Sequence, residues 1–219
     1  MDTINIAIDG PAGAGKSTIA RLAAERLGYI YVDTGAMYRA MALLCIRNHV
    51  AAGEEEKVVG VCERAEVDIE YVGGEQHVLL NGENVNAYIR TEEVSRMTSA
   101  ISVYPKVREK LLTLQRNIAE NNNVIMDGRD IGTNVLPNAR IKIYLTASVE
   151  TRAKRRYKEQ IEKGQEAAIK DIEKDIEERD YRDMHRDCAP LRVADGAKVI
   201  DSSNLSIEEV VKLITDMVK

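Results

Sequence analysis

The stretch Gly10-Pro11-Ala12-Gly13-Ala14-Gly15-Lys16-Ser17 satisfies the pattern G-x-x-x-x-G-K-S/T at every fixed position. An apolar run, Ile4 to Ile8, precedes it and a helix-forming run, Thr18 to Leu27, follows it, which is the strand-loop-helix setting the pattern requires. The glycines let the backbone curl until several N–H groups point into one concavity, and the following helix adds the positive end of its dipole. Lys16 can then reach the β- and γ-phosphates of a nucleotide, and the Ser17 hydroxyl can sit on Mg2+.

Working outward, Ile19, Leu22, Ala23 and Leu27 recur at helical spacing, and Gly28 stands where a C-terminal cap belongs. Tyr29 to Val32 predicts a short strand that delivers Asp33-Thr34-Gly35 at its C-terminal end, where ligands bind in open α/β sheets. A helix from about Ala36 to Asn48 would carry Tyr38 and Arg39 in its first turn, and a further helix would run to about Ala65. From Val67 the pattern changes: Val67 to Val72, Gly73-Gly74, His77 to Leu80 and Asn81-Gly82 predict short strands joined by tight turns.

Helical spacing returns from about Thr91 to Ile101 and again after Pro105, where Val107, Leu111, Leu114 and Ile118 predict an apolar core stripe. Val124-Ile125-Met126 has the continuous apolar character of a buried parallel strand and ends in Asp127-Gly128-Arg129-Asp130. Ile141 to Leu145 predicts another such strand. In the charged region Glu150 to Asp187, Ala153, Tyr157 and Ile161, then Ile169, Ile172 and Ile176, predict two helices around Gly164. Val199-Ile200-Asp201 predicts a last strand, and Ser206-x-x-Glu209 is a capping box opening a terminal helix.

Strands alternating with helices after a first strand and phosphate loop give the fold class α/β, a doubly wound parallel sheet with a small antiparallel β insertion and a helical lid. The expected organisation is a single domain over 1–219. Its core comprises about 1–35, 102–149 and 188–219, with a monophosphate-binding region about 36–101, a β insertion about 67–85 and a lid about 150–187.

The 219 residues are 44% hydrophobic but include no Phe and no Trp, so the core must be aliphatic with some of the nine Tyr. A net charge of -5 argues against a nucleic-acid-binding protein held by bulk electrostatics; an anionic substrate needs local basic clusters instead. Cys45, Cys62 and Cys188 lack C-x-x-C spacing, which indicates neither a disulfide framework nor a zinc site and fits a reducing cytosol. Entry into a strand by Ile4 leaves no room for a signal peptide, and Ala36 to Ile46 is too short to span a membrane. The expectation is a cytoplasmic protein without a nucleic-acid or membrane partner, and monomeric by default. His49, His77 and His185 show no ligand spacing.

Phosphate loops serve GTPases, transport ATPases and small-molecule kinases alike. The sequence has no N-K-x-D, no D-x-x-G switch motif and no L-S-G-G-Q, which removes support for the first two. The arginines point to the third, because phosphoryl transfer between anionic substrates is accelerated by fixed cations around the transferred group. Arg39, Arg108 and Arg129 can hold an acceptor phosphate, while Arg152, Arg155, Arg156, Arg179, Arg182 and Arg186 can close over the reacting groups. Asp127 at a strand end is the expected holder of Mg2+ together with Ser17. Single arginines in the charged region also suit exposed i,i+4 pairs.

At these residues the chain resembles the bacterial cytidylate kinase family over nearly its whole length. The resemblance is carried by Ile8-Asp9-Gly10-Pro11 with the loop, Asp33-Thr34-Gly35-Ala36-Met37-Tyr38-Arg39, Ile89-Arg90-Thr91, Val107-Arg108, Asp127-Gly128-Arg129-Asp130-Ile131-Gly132-Thr133, Arg179-Asp180 and Ala189-Pro190-Leu191. It implies ATP as donor on Gly10 through Lys16, Ser17 and Thr18, Mg2+ as cofactor, and CMP or dCMP as acceptor. It also implies Ser99, Arg108 and Asp130 on the cytosine, Tyr38, Arg39 and Arg129 on the acceptor phosphate, Thr34 among the acceptor-binding residues, and Arg179, Asp183 and Arg186 on sugar and phosphate. Arg152 and Arg156 would be lid residues near the transferred phosphoryl, joining Lys16, Arg129 and Asp127 in catalysis. Thr34 stands where some relatives have Ser and keeps the hydroxyl. A different small-molecule kinase and a nucleotide-binding regulatory NTPase remain the alternatives.

Overall fold

In the computed structural model the described residues are 3–162, 164 and 166–218. The Met1-Asp2 opening lies outside them, as do Lys163 and Gln165 beside the expected break at Gly164. In chain order the elements are β1 (Asn5–Asp9), α1 (Lys16–Leu27), β2 (Ile30–Asp33), α2 (Thr34–Arg47), α3 (Glu55–Glu63), β3 (Val67–Val72), β4 (Glu75–Leu80), β5 (Glu83–Asn84), α4 (Glu92–Ile101), α5 (Pro105–Asn121), β6 (Val124–Gly128), a π-helical turn (Ile131–Val135), β7 (Ile141–Thr146), α6 (Val149–Glu162), α7 (Ile169–His185), β8 (Lys198–Asp201) and α8 (Ile207–Asp216). The chain divides into two compact units, Met1–Tyr31 with Asn123–Lys219, and Val32–Asn122.

The larger sheet has five strands in the order β2-β6-β1-β7-β8, of which β1, β6, β7 and β8 belong to the first unit. β1 pairs in parallel with β6 and β7, and β7 in parallel with β8. Every residue of β6 is buried, as expected for a central strand with helices on both faces. Ile6, Ile8, Ile125, Ile143 and Leu145 form the core with the apolar stripes of α1 and α8. Ser206 closes the expected capping box: its hydroxyl accepts from Glu209 N, and the Glu209 carboxylate accepts from Ser206 N. Gly28 closes α1 by donating to the carbonyls of Ala24 and Glu25.

The helices α6 and α7 flank Gly164 as expected, but only part of the predicted periodicity is buried. Ala153, Ile172 and Ile176 form a small core, whereas Tyr157 and Ile161 are 37% and 47% exposed. The apolar contact is confined to the segment where α6 begins, so the distal half of that helix is exposed.

In the second unit β3, β4 and β5 form an antiparallel sheet, with turns at Gly73-Gly74 and Asn81-Gly82. Two details differ from expectation, one helix start and one buried face. Asp33 caps α2 by accepting from Ala36 N at 2.9 Å, so the helix starts at Thr34 and Tyr38 and Arg39 fall in its second turn. The buried stripe of α5 is Val107, Arg108, Leu111, Gln115 and Ala119, while Leu114 and Ile118 are half-buried. Cys45 and Cys62, remote in sequence, bring their thiols to 3.8 Å as free cysteines. Among the described residues no helix is long and apolar enough to cross a membrane.

At Gly10, φ is 150°, and a Cβ would lie 1.9 Å from the backbone oxygen of Leu145. Gly10→Ala is therefore expected to lower unfolding free energy by about 4 kcal/mol, whereas Ser206→Ala costs about 1 kcal/mol. Urea denaturation measures both; a loss below that of Ser206→Ala in the glycine variant would contradict the close approach.

Candidate active site

The phosphate loop joins β1 to α1 in the first unit. Lys16 is buried and its Nζ donates to the Pro11 carbonyl at 2.8 Å. Burial, followed by the charge of Arg129, pushes its ammonium down to about 7 against the upward pull of Asp127. Ser17 Oγ donates to Asp127 Oδ2 at 3.1 Å, and the Tyr31 hydroxyl donates to Asp127 Oδ1 at 2.8 Å. The pairing of a hydroxyl and a carboxylate beside a phosphate loop fits Mg2+, which takes hard oxygen donors and binds through one or two carboxylates plus substrate phosphates. Among the described residues no group of three or more His, Cys, Asp or Glu could hold a metal by itself.

Beyond Asp127, the chain places Arg129 and Asp130 before the π-helical turn. Arg129 Nε donates to Asp183 Oδ2 at 2.8 Å. Burial opposes the Arg129 charge, but Asp183, Asp127 and Asp180 together hold the guanidinium above its ordinary value. Burial likewise works against the Asp183 charge, and Arg129, Arg179 and Arg186 overcome it and hold that carboxyl below its ordinary range. Asp130 accepts from Asn134 Nδ2 at 3.1 Å and from Arg186 Nη2 at 3.4 Å.

Arg152, at the start of α6, uses its guanidinium on three partners: the Ala147 carbonyl at 2.9 Å, the Ala12 carbonyl at 3.0 Å and Asp180 Oδ2 at 2.6 Å. Arg156 follows one turn later on α6 and is half-buried, as is Arg179 on α7. Arg155 donates to the Ser202 carbonyl at 2.8 Å.

Within the second unit, Asp33 organises the residues at the start of α2. Its Oδ2 accepts from Arg39 at 2.9 Å and from Arg90 at 3.4 Å. The Gln76 side chain of β4 holds the Asp33 backbone at both ends, accepting from its N–H at 2.8 Å and donating to its carbonyl at 3.1 Å. Thr34 is buried beside it. The Arg108 guanidinium lies 5.3 Å from the Tyr38 ring centroid and donates to the Ser102 carbonyl at 3.1 Å. Ser99 Oγ is buried and has no hydrogen-bond partner among the described residues. Thr34, Tyr38, Arg39, Ser99 and Arg108 thus belong to the second unit, and the other expected site residues to the first.

Several organising residues lay outside the set chosen from sequence: Asp9, Tyr31, Asp33 and Asp180. For Asp9 and Asp33 there was a signal, a carboxylate closing an apolar strand at the end where α/β sheets bind ligands. Tyr31 and Asp180 carried no such signal in one dimension.

The Lys16 environment makes a direct prediction. In the ligand-free protein its side chain titrates near 7, and Asp127→Asn lowers that value further because the removed carboxylate favours the ammonium. A titration of the Lys16 Cε resonance measures both; a wild-type value above 9, or a rise in the variant, would contradict the assignment.

The sequence matches the family described as cytidylate kinase over residues 6–219. It is 52% identical to a cytidylate kinase of Caldicellulosiruptor saccharolyticus, the match covering 99% of this chain and 96% of that one. A cytidylate kinase of Lactobacillus johnsonii is 50% identical, over 99% of this chain and 94% of that one. A solved structure described as an uncharacterized protein from Eubacterium ventriosum shares the fold, with a TM-score of 0.56 and 12% identity over 99% of this chain and 98% of that one. The phosphate loop, the strand-end carboxylates and the whole-length sequence match agree: the chain belongs to the cytidylate kinase family.

Proposed function

We propose that the protein transfers the γ-phosphoryl group of ATP to the phosphate of CMP or dCMP, releasing ADP and CDP or dCDP. The observation that carries this reading is the match to cytidylate kinases at about half identity over 99% of the chain. Gly10 to Thr18 receive the ATP phosphates, with Lys16 giving up its bond to Pro11 and taking the protonated state that a polyphosphate favours. Ser17 and Asp127 would hold Mg2+, which would supply neutralising charge to the phosphates.

In the reaction, a phosphate oxygen of CMP forms the new bond to the γ-phosphorus as the bond to the β-phosphate oxygen breaks. The acceptor oxygen is already anionic near neutral pH, so the residues act by positioning and charge stabilisation rather than by proton abstraction. Tyr38, Arg39 and Arg129 are proposed for the acceptor phosphate, Thr34 for acceptor binding beside them in sequence, and Arg179, Asp183 and Arg186 for its sugar and phosphate. Arg152 and Arg156 serve the transferred phosphoryl from α6, Arg152 from a position already bonded to the Ala12 carbonyl of the loop.

Ser99, Arg108 and Asp130 are proposed for the base. A carboxylate accepts from the cytosine 4-amino group and an arginine donates to O2 and N3, whereas the 4-oxo group of uracil would set oxygen against oxygen. The buried Ser99 hydroxyl, without a partner among the described residues, supports a ligand contact on α4, since a polar group left without a bond in the interior costs stability.

A coupled ADP-release assay with CMP, dCMP, UMP, AMP and GMP tests the reading. CMP and dCMP are expected to exceed UMP in kcat/KM by at least about 100-fold; equal turnover of UMP, AMP or GMP would overturn the cytosine assignment. Asp130→Ala is expected to lower kcat/KM for CMP by about 100-fold while leaving the KM for ATP within about threefold. Unchanged discrimination between CMP and UMP in that variant would remove Asp130 from base recognition.

A further inference from the structure

Asp9 is the last residue of β1 and is 2% exposed. It immediately precedes Gly10, the first residue of the phosphate loop, yet neither of its carboxylate oxygens is spent on that loop. Oδ1 accepts from the backbone N–H of Ile131 and Oδ2 from that of Gly132, both at 2.7 Å. These are the first two residues of the π-helical turn, whose opening N–H groups have no partner within the turn itself. Asp9 is therefore a cap supplied by a different strand, 122 residues away in sequence from the first N–H it binds.

The turn it caps is the one that fixes Asp130. The Asp130 carbonyl accepts from Asn134 N at 2.9 Å and Val135 N at 3.2 Å, and its side chain is held by Asn134 and Arg186. Gly132 shows how closely the turn is seated. A Cβ there would stand 3.2 Å from the Ala194 Cβ and 3.4 Å from Asp9 Oδ2. Only a carboxylate can meet both N–H groups with one side chain of this length. Asn offers one acceptor and turns an NH2 toward the second N–H, leaving a buried donor facing a donor.

We infer that Asp9 is a positioning residue for the acceptor, setting through the Ile131 and Gly132 backbone where Asp130 presents its carboxylate to the base. The inference rests on the reading of Asp130 as a cytosine contact. It assigns to the strand that launches the phosphate loop a second task, on the acceptor side of the reaction.

The test uses full-length wild type, Asp9→Asn and Gly132→Ala, each assayed with CMP, UMP and ATP and each followed by thermal unfolding. Asp9→Asn is expected to raise the KM for CMP about tenfold and to lower the CMP-to-UMP ratio of kcat/KM by at least as much, with the KM for ATP within about threefold. Gly132→Ala, whose methyl crowds the same turn against Ala194 and Asp9 Oδ2 while leaving the carboxylate chemically intact, is expected to shift the same two quantities in the same direction. A lowered melting temperature with CMP KM and discrimination unchanged would reduce Asp9 to a structural role and overturn the inference. A wild type that does not prefer CMP over UMP would instead overturn the cytosine reading itself. If neither variant folds, the wild type decides: saturating CMP should shift the amide resonances of Ile131 and Gly132 more than ATP does, and no CMP-dependent shift would overturn the inference.

Discussion

A carboxylate withdrawn from water must be met by donors, and this constraint organises the ends of three strands. Asp9, Asp33 and Asp127 close β1, β2 and the apolar run of β6, and each is buried. An unpaired charge in such a position would cost several kcal/mol. Each is paired differently, and the pairing decides what the strand end does. Asp9 takes two backbone N–H groups and fixes a turn. Asp33 takes a helix N–H and two arginines and fixes the start of α2. Asp127 takes the hydroxyls of Ser17 and Tyr31 and remains a set of oxygens suited to a divalent cation.

The same logic governs the basic groups. The protein carries a net charge of -5, so its affinity for phosphates must come from local arrangement. Where α7 meets α6 and the segment after β6, cations and anions are interleaved: Arg129 with Asp183, Arg152 with Asp180, Arg186 with Asp130. Buried ion pairs of this kind add little to stability, because desolvation offsets most of the attraction. On the proposed function their value is electrostatic preorganisation, since guanidinium groups already stripped of bulk water are stronger partners for a phosphoryl group than hydrated ones. Lys16 shows the cost of that concentration of cations, with burial and neighbouring Arg129 pushing it down to about 7.

What could be read in one dimension was whatever depends on neighbours in sequence. The phosphate loop, the continuous apolar run of β6, the Ser206 capping box and the tight turns of the insertion all rest on local chemistry, and all were legible. Contacts that join distant segments were not. The bonds from Asp9 to Ile131 and Gly132 link residues more than 120 positions apart, and nothing near either end announces them. The stripe on α5 was misjudged because apolar spacing favoured Leu114 and Ile118. The helix instead buries Arg108 and Gln115, whose polar ends find partners in the Ser102 carbonyl and the Met37 sulfur. A polar residue on a buried face is invisible to hydrophobic periodicity, and Arg108 is one of the residues the acceptor reading needs.

The measurement that bears most directly on phosphoryl transfer is a 31P NMR time course of the protein with ATP, Mg2+ and CMP. Transfer predicts CDP and ADP resonances growing at equal rates, with no ADP formed when CMP is left out. Inorganic phosphate appearing at the rate of ADP, with or without CMP, would contradict it.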